Sequence, residues 1–579
     1  VHKPAPIADN APAFQMQDLR FTYRGASTPA LEGINLSIGP GEFVVIMGQG
    51  GAGKSTLCRC LNGLIPGFHK GDFSGEVRVF GLDTRTHSVR DLAQFVGLVF
   101  QDFEAQLFCT RVDLEVAFGP ENFGLEPKRI SQRVKTCLEL AGLAGFERRA
   151  PSALSGGEKQ RLAIAASLSW EPAAVVWDEP TTDLDPVGKA QLFDLARRLR
   201  AERPDRAMVM VEHETEQALA ADRVVLMSGG KVAGEGKPAG LLSNSRLLEM
   251  NGVRAVQMAQ LCERLGLPPC LELEKALEHL AAHGYSFDHA KWRRLLEDEA
   301  PIRERSRAAE CVIEVRGLRY SYEPGKEALA GIDLRINRGE FVAIVGANGS
   351  GKTTLVQHLN GLLKPQEGTV VVDGLDTRKS GMREIARRVG YVFQNPDHQI
   401  FAGQVSEEVA FGPRNLGAPE EEVMRRVADS LEAVGLSGSE GQDPFSMTKG
   451  ERQRVAAASV LASRPQVLIF DEPTTGLDFL QTRTMMNLIR RLNEAGHTII
   501  IVTHSMHVVA EYAHRMVVMR DGRIEMDEPV RRGFGRETEL SSCSLAPPPV
   551  SRLGNMIGLP QTSGSTFLSV EDAAQCFGR

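Results

Sequence analysis

No stretch of this chain approaches the roughly 20 consecutive apolar residues needed to cross a bilayer. Its longest apolar strand candidates, Phe43–Met47 and Thr498–Val502, are far shorter. If the protein serves a membrane, other chains must do the spanning. A basic excess is also missing: the formal charge is -7 at pH 7, which speaks against a nucleic-acid binder. Cysteine pairing is not signalled either. The nine cysteines (Cys58, Cys60, Cys109, Cys137, Cys262, Cys270, Cys311, Cys543 and Cys576) are scattered, odd in number and without a CxxC pair. Reduced thiols in a cytosolic compartment are expected. The Pro- and Ala-rich segment Val1–Phe14 lacks the basic-then-apolar layout of a signal peptide. What is present is an ordinary globular composition, 42% hydrophobic and 24% charged over 579 residues. At about 100–200 residues per domain, that length allows three or four structural units.

The chain repeats itself, and a repeat decides the fold before any other feature does. Leu19-Arg-Phe-Thr-Tyr23 returns as Leu318-Arg-Tyr-Ser-Tyr322. Phe43–Ser55 returns as Phe341–Thr353, Val99-Phe-Gln101 as Val392-Phe-Gln394, and Trp177–Thr182 as Phe470–Thr475. Lys54 and Lys352 stand 298 positions apart but Gln101 and Gln394 only 293, so the first copy carries five extra residues, in the loop Ile65–Ser74. Each copy alternates short β-branched strands with amphipathic helices, which implies an α/β fold with a largely parallel sheet. Between the copies, Lys237–Glu310 reads as mostly helical with balanced charge, and a tail follows the second copy. Leu265-Gly-Leu-Pro268 in the connector resembles Ile557-Gly-Leu-Pro560 in the tail, and an acidic helix-like segment follows each (Glu272–Leu280 and Val570–Phe577). The repeat unit is therefore expected to be a core plus a small helical C-terminal extension. The expected bounds are 12–240 and 311–533 for the two cores, 241–310 for the first extension and connector, and 534–579 for the tail.

Gly48-Gln49-Gly50-Gly51-Ala52-Gly53-Lys54-Ser55 and Gly346-Ala347-Asn348-Gly349-Ser350-Gly351-Lys352-Thr353 both fit G-x-x-x-x-G-K-[ST]. Each follows an apolar strand and opens a helix, at Thr56 and Thr354, which is the context of a phosphate-binding loop. The glycines let backbone N–H groups turn inward around phosphates, and the helix dipole adds positive potential. Lys54 and Lys352 are expected to reach the β/γ-phosphates, with Ser55 and Thr353 on Mg²⁺. Gly48, Gly50 and Gly53 also fit G-x-G-x-x-G, the dinucleotide fingerprint. The Lys-Ser that follows, and the absence of that pattern from the second copy, speak against it. A ligand-free Gly-rich turn explains one loop but not two in register.

Each copy also holds an apolar strand ending in two acids, Asp178-Glu179 and Asp471-Glu472. Asp178 and Asp471 suit the outer coordination of Mg²⁺. Glu179 and Glu472 suit a general base or water-positioner, since attack on a γ-phosphate needs an oriented water. An acid capping the next helix is the plain alternative; two pairs at matched distance from two phosphate loops favour the catalytic reading. The run Ala153-Leu-Ser155-Gly156-Gly157-Glu-Lys-Gln-Arg161 places a Ser and two glycines at a helix start, a natural anion cradle.

With these elements in place, residues 14–240 and 311–533 resemble the nucleotide-binding domains of ABC ATPases. The resemblance implies two such domains in tandem, each a RecA-like parallel-sheet core with an antiparallel β-subdomain and a helical subdomain, acting on ATP with Mg²⁺. It implies that Tyr23 and Tyr322 stack on adenine and that Gln101 and Gln394 link Mg²⁺ to a membrane partner. It gives His213 and His504 the place of the switch histidine at the γ-phosphate, and Asp185 and Asp478 that of the acid coupling the two sites. It further implies that each phosphate loop works with the signature run of the other copy: Ser155, Gly156 and Gly157 for the second loop, Thr448 and Gly450 for the first.

Phe393-Gln-Asn-Pro-Asp-His-Gln-Ile-Phe401 with Val409-Ala-Phe-Gly-Pro413, echoed at Phe100–Phe108 and Val116–Pro120, is similar to the ATPases of energy-coupling-factor importers. Leu61–Pro66 with its longer loop is similar to fused members of that group linked to cobalt or thiamine-precursor uptake. The resemblance implies a transmembrane coupling subunit and a substrate-binding membrane subunit as partners, no nucleic acid, and a peripheral place on the cytoplasmic face of the membrane. The fused ATPase of a sugar importer and a ribosome-associated ABC protein are the rivals. The first lacks the Gln-Asn-Pro-Asp stretch, and the second would carry a long, basic helical connector. Two further expectations concern detail. Glu104 and Asp397, each three residues beyond its glutamine, are expected to meet basic residues of the membrane partner. The second signature reads Met447-Thr448-Lys449-Gly450-Glu451, which puts a lysine in the place of Gly156 and predicts unequal sites.

Overall fold

The computed structural model describes residues 11–182 and 184–579, and for 299–308 the backbone alone; most of the Val1–Phe14 segment read above lies outside the described residues. The chain divides into two compact units, one holding most of residues 11–260 and the other most of 272–579.

In the first unit a six-stranded sheet runs in the order Lys231–Gly236, Arg223–Ser228, Phe43–Gly48, Ala207–Val211, Ala174–Asp178, Val96–Val99. All pairs are parallel except the edge pair of Lys231–Gly236 with Arg223–Ser228. Every residue of Phe43–Gly48, Ala174–Asp178 and Ala207–Val211 is buried. A parallel sheet covered on both faces requires such unbroken apolar strands, whereas the edge strand Lys231–Gly236 alternates. A second, antiparallel sheet (Leu31–Ile38, Phe14–Tyr23, Gly71–Val79, Leu82–Asp83) shares one hydrophobic core with one face of the first. The other face is covered by a helical group, Val112–Asn122, Pro127–Leu140 and Gly156–Leu168, through Val116, Leu138, Leu162 and Ile164.

The second unit repeats this plan. Its six-stranded sheet runs Val389–Val392, Val467–Asp471, Thr498–Val502, Phe341–Val345, Arg515–Arg520, Arg523–Pro529, and its antiparallel sheet runs Lys326–Asn337, Cys311–Glu323, Glu367–Val372, Leu375–Asp376. The expected α/β class, with parallel core, antiparallel β-subdomain and helical subdomain twice over, is what the chain adopts. The five extra residues of the first copy lengthen a strand. Gly71–Val79 pairs with Phe14–Tyr23 as far as Tyr23↔Gly71, whereas the equivalent pairing in the second copy stops at Arg319↔Glu367.

The second unit also contains most of the connector, and there it folds together with the tail. Ser286–Phe287 pairs with Phe577–Gly578, and Trp292 Nε1 donates to Ser563 Oγ at 3.1 Å while its ring meets Phe567 edge-on. Arg531, 4% exposed, forms an ion pair of 2.6 Å with Asp572. Burial alone pushes the Asp572 carboxyl up, but the Arg531 charge and hydrogen bonds hold it below the usual range. The two Gly-Leu-Pro runs play the same part: each follows a helix, Gln257–Arg264 or Pro549–Met556, and places Gly266 or Gly558 in the left-handed region. The acidic segments after them form the helices Leu273–Ala282 and Val570–Cys576.

Candidate functional site

The two Gly-rich loops turn between a buried central strand and the helices Lys54–Leu61 and Lys352–Leu359. Gly48 and Gly346 have φ of 146° and 154°, and a Cβ there would lie 2.2 and 2.3 Å from the carbonyl oxygens of Met227 and Met519. No other residue fits, so the loop is held open as a cradle of backbone N–H groups. Lys54 Nζ donates to Gly48 O at 2.9 Å and Gln49 O at 3.0 Å; Lys352 Nζ donates to Gly346 O and Ala347 O, both at 2.9 Å. Both ammonium groups therefore lie folded over the loop mouth. Burial lowers the Lys54 pKa, against the opposing pull of Glu179 and Asp178. A polyphosphate would satisfy that buried charge.

The acids converge on the same place in each unit. Ser55 Oγ donates to Asp178 Oδ1 at 3.1 Å, and burial, with Glu179 adding its charge, pushes the Asp178 carboxyl up to about 6. A buried hydroxyl–carboxylate pair beside a lysine fits a divalent cation, which would relieve that repulsion. Asp471 is likewise raised by burial, and it accepts from Tyr391 Oη at 2.6 Å. The first unit has Leu98 where Tyr391 stands, so this contact belongs to the second copy alone. Glu179 and Glu472 sit at the strand ends with φ of 51° and 48°, a strained conformation for a non-glycine residue that aims each carboxylate out of the sheet. His213 Nε2 is 2.8 Å from Glu179 Oε1, and His504 Nδ1 is 3.0 Å from Glu472 Oε1. Gln101 Nε2 donates to Glu179 Oε2 at 2.8 Å; Gln394 is not among the described donors to Glu472, and both glutamines are exposed. Tyr23 and Tyr322 place their hydroxyls 3.3 and 3.2 Å from Thr56 Oγ1 and Thr354 Oγ1, at the first turn of each loop's helix.

The signature runs open the helices Gly156–Leu168 and Lys449–Leu461. Ser155 and Thr448 cap them identically: each side-chain oxygen accepts from the backbone N–H three residues on, at 3.4 Å, and each backbone N–H donates to Glu158 or Glu451. Nothing lies within 4 Å of a Cβ built on Gly156, so Lys449 occupies the equivalent position without displacing the backbone. The two runs differ in side chains, Met447 for Leu154, Thr448 for Ser155 and Lys449 for Gly156, the lysine being the largest change.

Beyond each glutamine the two acids have partners within their own unit. Glu104 pairs with Lys159 at 2.8 Å and Asp397 with Arg452 at 2.7 Å, both cations lying on the signature helix of the same unit. Both carboxylates remain accessible, 58% and 44% exposed. The same segments carry a feature that sequence reasoning missed. Phe108 meets Phe118 edge-to-face at 4.7 Å, and Phe401 meets Phe411 at 4.7 Å, with the four rings 62%, 46%, 60% and 49% exposed. Duplicated phenylalanines at matched positions were the available signal. Arg59, which donates to Tyr23 Oη at 2.9 Å, and Glu212, buried beside His213, were likewise not singled out.

Comparison with known proteins agrees with this geometry. The family described as ABC transporter matches residues 31–182 and 329–475. A chain from Caldanaerobacter subterraneus subsp. tengcongensis with the provisional name ABC transporter ATP-binding protein is 50% identical, over 97% of this chain and 98% of its own length. One from Methanosarcina acetivorans, provisionally named in the same words, is 40% identical over 95% of this chain and 91% of its own.

Proposed function

The chain belongs to the ABC transporter family and is an ATPase, and we propose that it energises a membrane importer of the energy-coupling-factor type, for a vitamin, a vitamin precursor or a transition-metal ion. In this reading ATP lies on residues 48–56 and 346–354, its base on Tyr23 and Tyr322, and the signature runs at Ser155–Gly157 and Thr448–Gly450 complete the two sites. Ser55, Gln101 and Asp178, and Thr353, Gln394 and Asp471, hold Mg²⁺, which supplies charge neutralisation at the phosphates when bound. Glu179 and Glu472 orient the attacking water and take its proton, and His213 and His504 hold those carboxylates in place. The bounds 12–240, 241–310, 311–533 and 534–579 are part of the proposal.

The observation that carries the membrane reading is the pair of exposed edge-to-face phenylalanines beyond each glutamine. Exposed aromatic pairs of this kind mark contact with another protein, and their duplication suits a partner contacted by both cassettes. Among the described residues no helix is long and apolar enough to cross a membrane, so the spanning part falls to coupling and substrate-binding subunits, with this chain peripheral on the cytoplasmic face. Fractionation of cells tests it. The wild-type chain should sediment with membranes, and Phe108→Ser with Phe401→Ser should release it while basal ATP hydrolysis persists. Sedimentation with ribosomes, or membrane association unchanged in the double variant, would overturn the reading.

A further inference from the structure

The loop that is five residues longer in the first cassette changes the surroundings of Tyr23. Gly71–Val79 runs alongside Tyr23, with Arg24 N donating to Lys70 O at 3.2 Å. A Cβ on Gly71 would lie 2.1 Å from Thr22 O, so glycine is what lets the lengthened strand close on the tyrosine's own strand. The residues just before it, Phe68 and His69, are thereby brought to the tyrosine ring. His69 stands at 83° to Tyr23 with centroids 6.3 Å apart, and Phe68 meets His69 at 86° and 5.3 Å. Arg59 Nη1 and Thr56 Oγ1 hold the Tyr23 hydroxyl, at 2.9 and 3.3 Å, so the ring is fixed from its far end. Burial, and then the Arg59 charge, keep His69 below the usual histidine range. Phe68 is 73% exposed, a large apolar surface beside this corner.

The second cassette lacks the corner. Tyr322 is 60% exposed and bonds Thr354, Gln357 stands where Arg59 does, and the strand pairing ends before the tyrosine is reached.

We propose that His69 and Phe68 form a side wall for the nucleotide base at the first phosphate loop, perpendicular to Tyr23, so that the first site grips its nucleotide by the base more firmly than the second. A flat base laid on Tyr23 presents its edge to this wall, where the imidazole in its neutral form offers one donor and one acceptor and Phe68 excludes water. The inference rests on the reading of Tyr23 as the base platform, and the two can fail separately.

The test uses the full chain with Lys352→Ala, which removes the lysine from the second loop, and calorimetric titration with ATP and with tripolyphosphate, which has no base. Phe68→Ala with His69→Ala should weaken ATP binding about tenfold and leave tripolyphosphate unchanged, the size expected for losing two aromatic contacts. His69→Gln alone, which keeps most of the side-chain volume, should show a smaller loss of the same kind, with the melting temperature of the parent. Unchanged ATP affinity in both variants would overturn the wall, as would equal weakening of ATP and tripolyphosphate, because the loop would then be acting on the phosphate cradle. Tyr23→Ala with undiminished ATP binding would overturn the platform reading itself.

Discussion

The side-chain amide of Gln101 donates a 2.8 Å hydrogen bond to Glu179 Oε2, while His213 holds Oε1 at the same distance, so both oxygens of that carboxylate are fixed. The histidine contact recurs at Glu472, but Gln394 is not among its described donors. Replacing Gln101 by Leu should therefore free Glu179 and lower hydrolysis at the first site about tenfold, as for a misplaced base. Gln394→Leu should change the second site less. Each is measured as single-turnover ATP cleavage with the other site's glutamate replaced by glutamine, which reads the slow first site as well as the fast second. Equal losses would contradict the difference.

Glu212 is fully buried, accepts from Thr181 Oγ1 and from the backbone N–H of His213, and has its pKa pushed up to about 7 by burial. A carboxyl with a raised folded-state pKa binds its proton more tightly folded than unfolded. Its contribution is most favourable below the unfolded value of about 4.5, and is lost as pH rises through about 7. The second cassette carries Thr503 at this place. Urea denaturation should show the first unit losing stability between pH 5 and 8, and Glu212→Gln should flatten that slope. An unchanged slope would show that Glu212 ionises in the folded chain as it does unfolded.

Asp572 gives the opposite sign. Its pKa is depressed by Arg531, so the pair's stabilisation is present above the unfolded value of about 3.9 and is lost as pH falls through the lower folded one. Asp572→Asn removes one charged partner from the buried Arg531 and should cost about 1.5–3 kcal/mol, expressed as early melting of the connector and tail helices. Hydrogen exchange at Trp292 and residues 570–576 measures it. Protection equal to wild type would refute the role given to this pair.

The ion pair of Lys159 with Glu104 lies at the surface, with the carboxylate 58% exposed. Such pairs contribute about 0–1 kcal/mol. A double-mutant cycle with Glu104→Ala and Lys159→Ala should return a coupling energy in that range, and Glu104→Lys should cost a comparably small amount of stability through repulsion from Lys159. A coupling above about 2 kcal/mol would show a buried role that the exposure does not suggest.

Much of this was legible in the sequence because it depends on local pattern. The buried strands before Gly48 and Asp178 are unbroken apolar runs, and the loops that follow need glycine where backbone meets backbone at Met227 and Met519. The positions of Ser55 against Asp178 and of His213 against Glu179 follow from strand order in a parallel sheet, which the repeat made readable. What was not legible depends on contacts far apart in sequence. Nothing in the residues near Glu104 announces Lys159, 55 positions away. Nothing near Trp292 announces Ser563. The extra loop was visible as five residues, but its effect on Tyr23 depends on a strand register that only the folded chain displays.

The central claim is that this is a two-site ATPase whose second phosphate loop carries most of the turnover. Ser155 and Thr448 share φ/ψ within a few degrees, at -65°/160° and -65°/158°, so the two signature helices are capped in the same conformation and Lys449 is the main change between them. In the proposed assignment of Thr448–Gly450 to the first phosphate loop, that lysine would alter the field and spacing on which phosphoryl transfer depends. The direct measurement is steady-state ATP hydrolysis by the assembled transporter with Glu472→Gln or Glu179→Gln. Losing a positioned base costs about 10²–10⁴-fold at the site affected. Glu472→Gln is predicted to leave almost no hydrolysis and Glu179→Gln a substantially larger fraction; equal losses, or a greater loss from Glu179→Gln, would contradict the account.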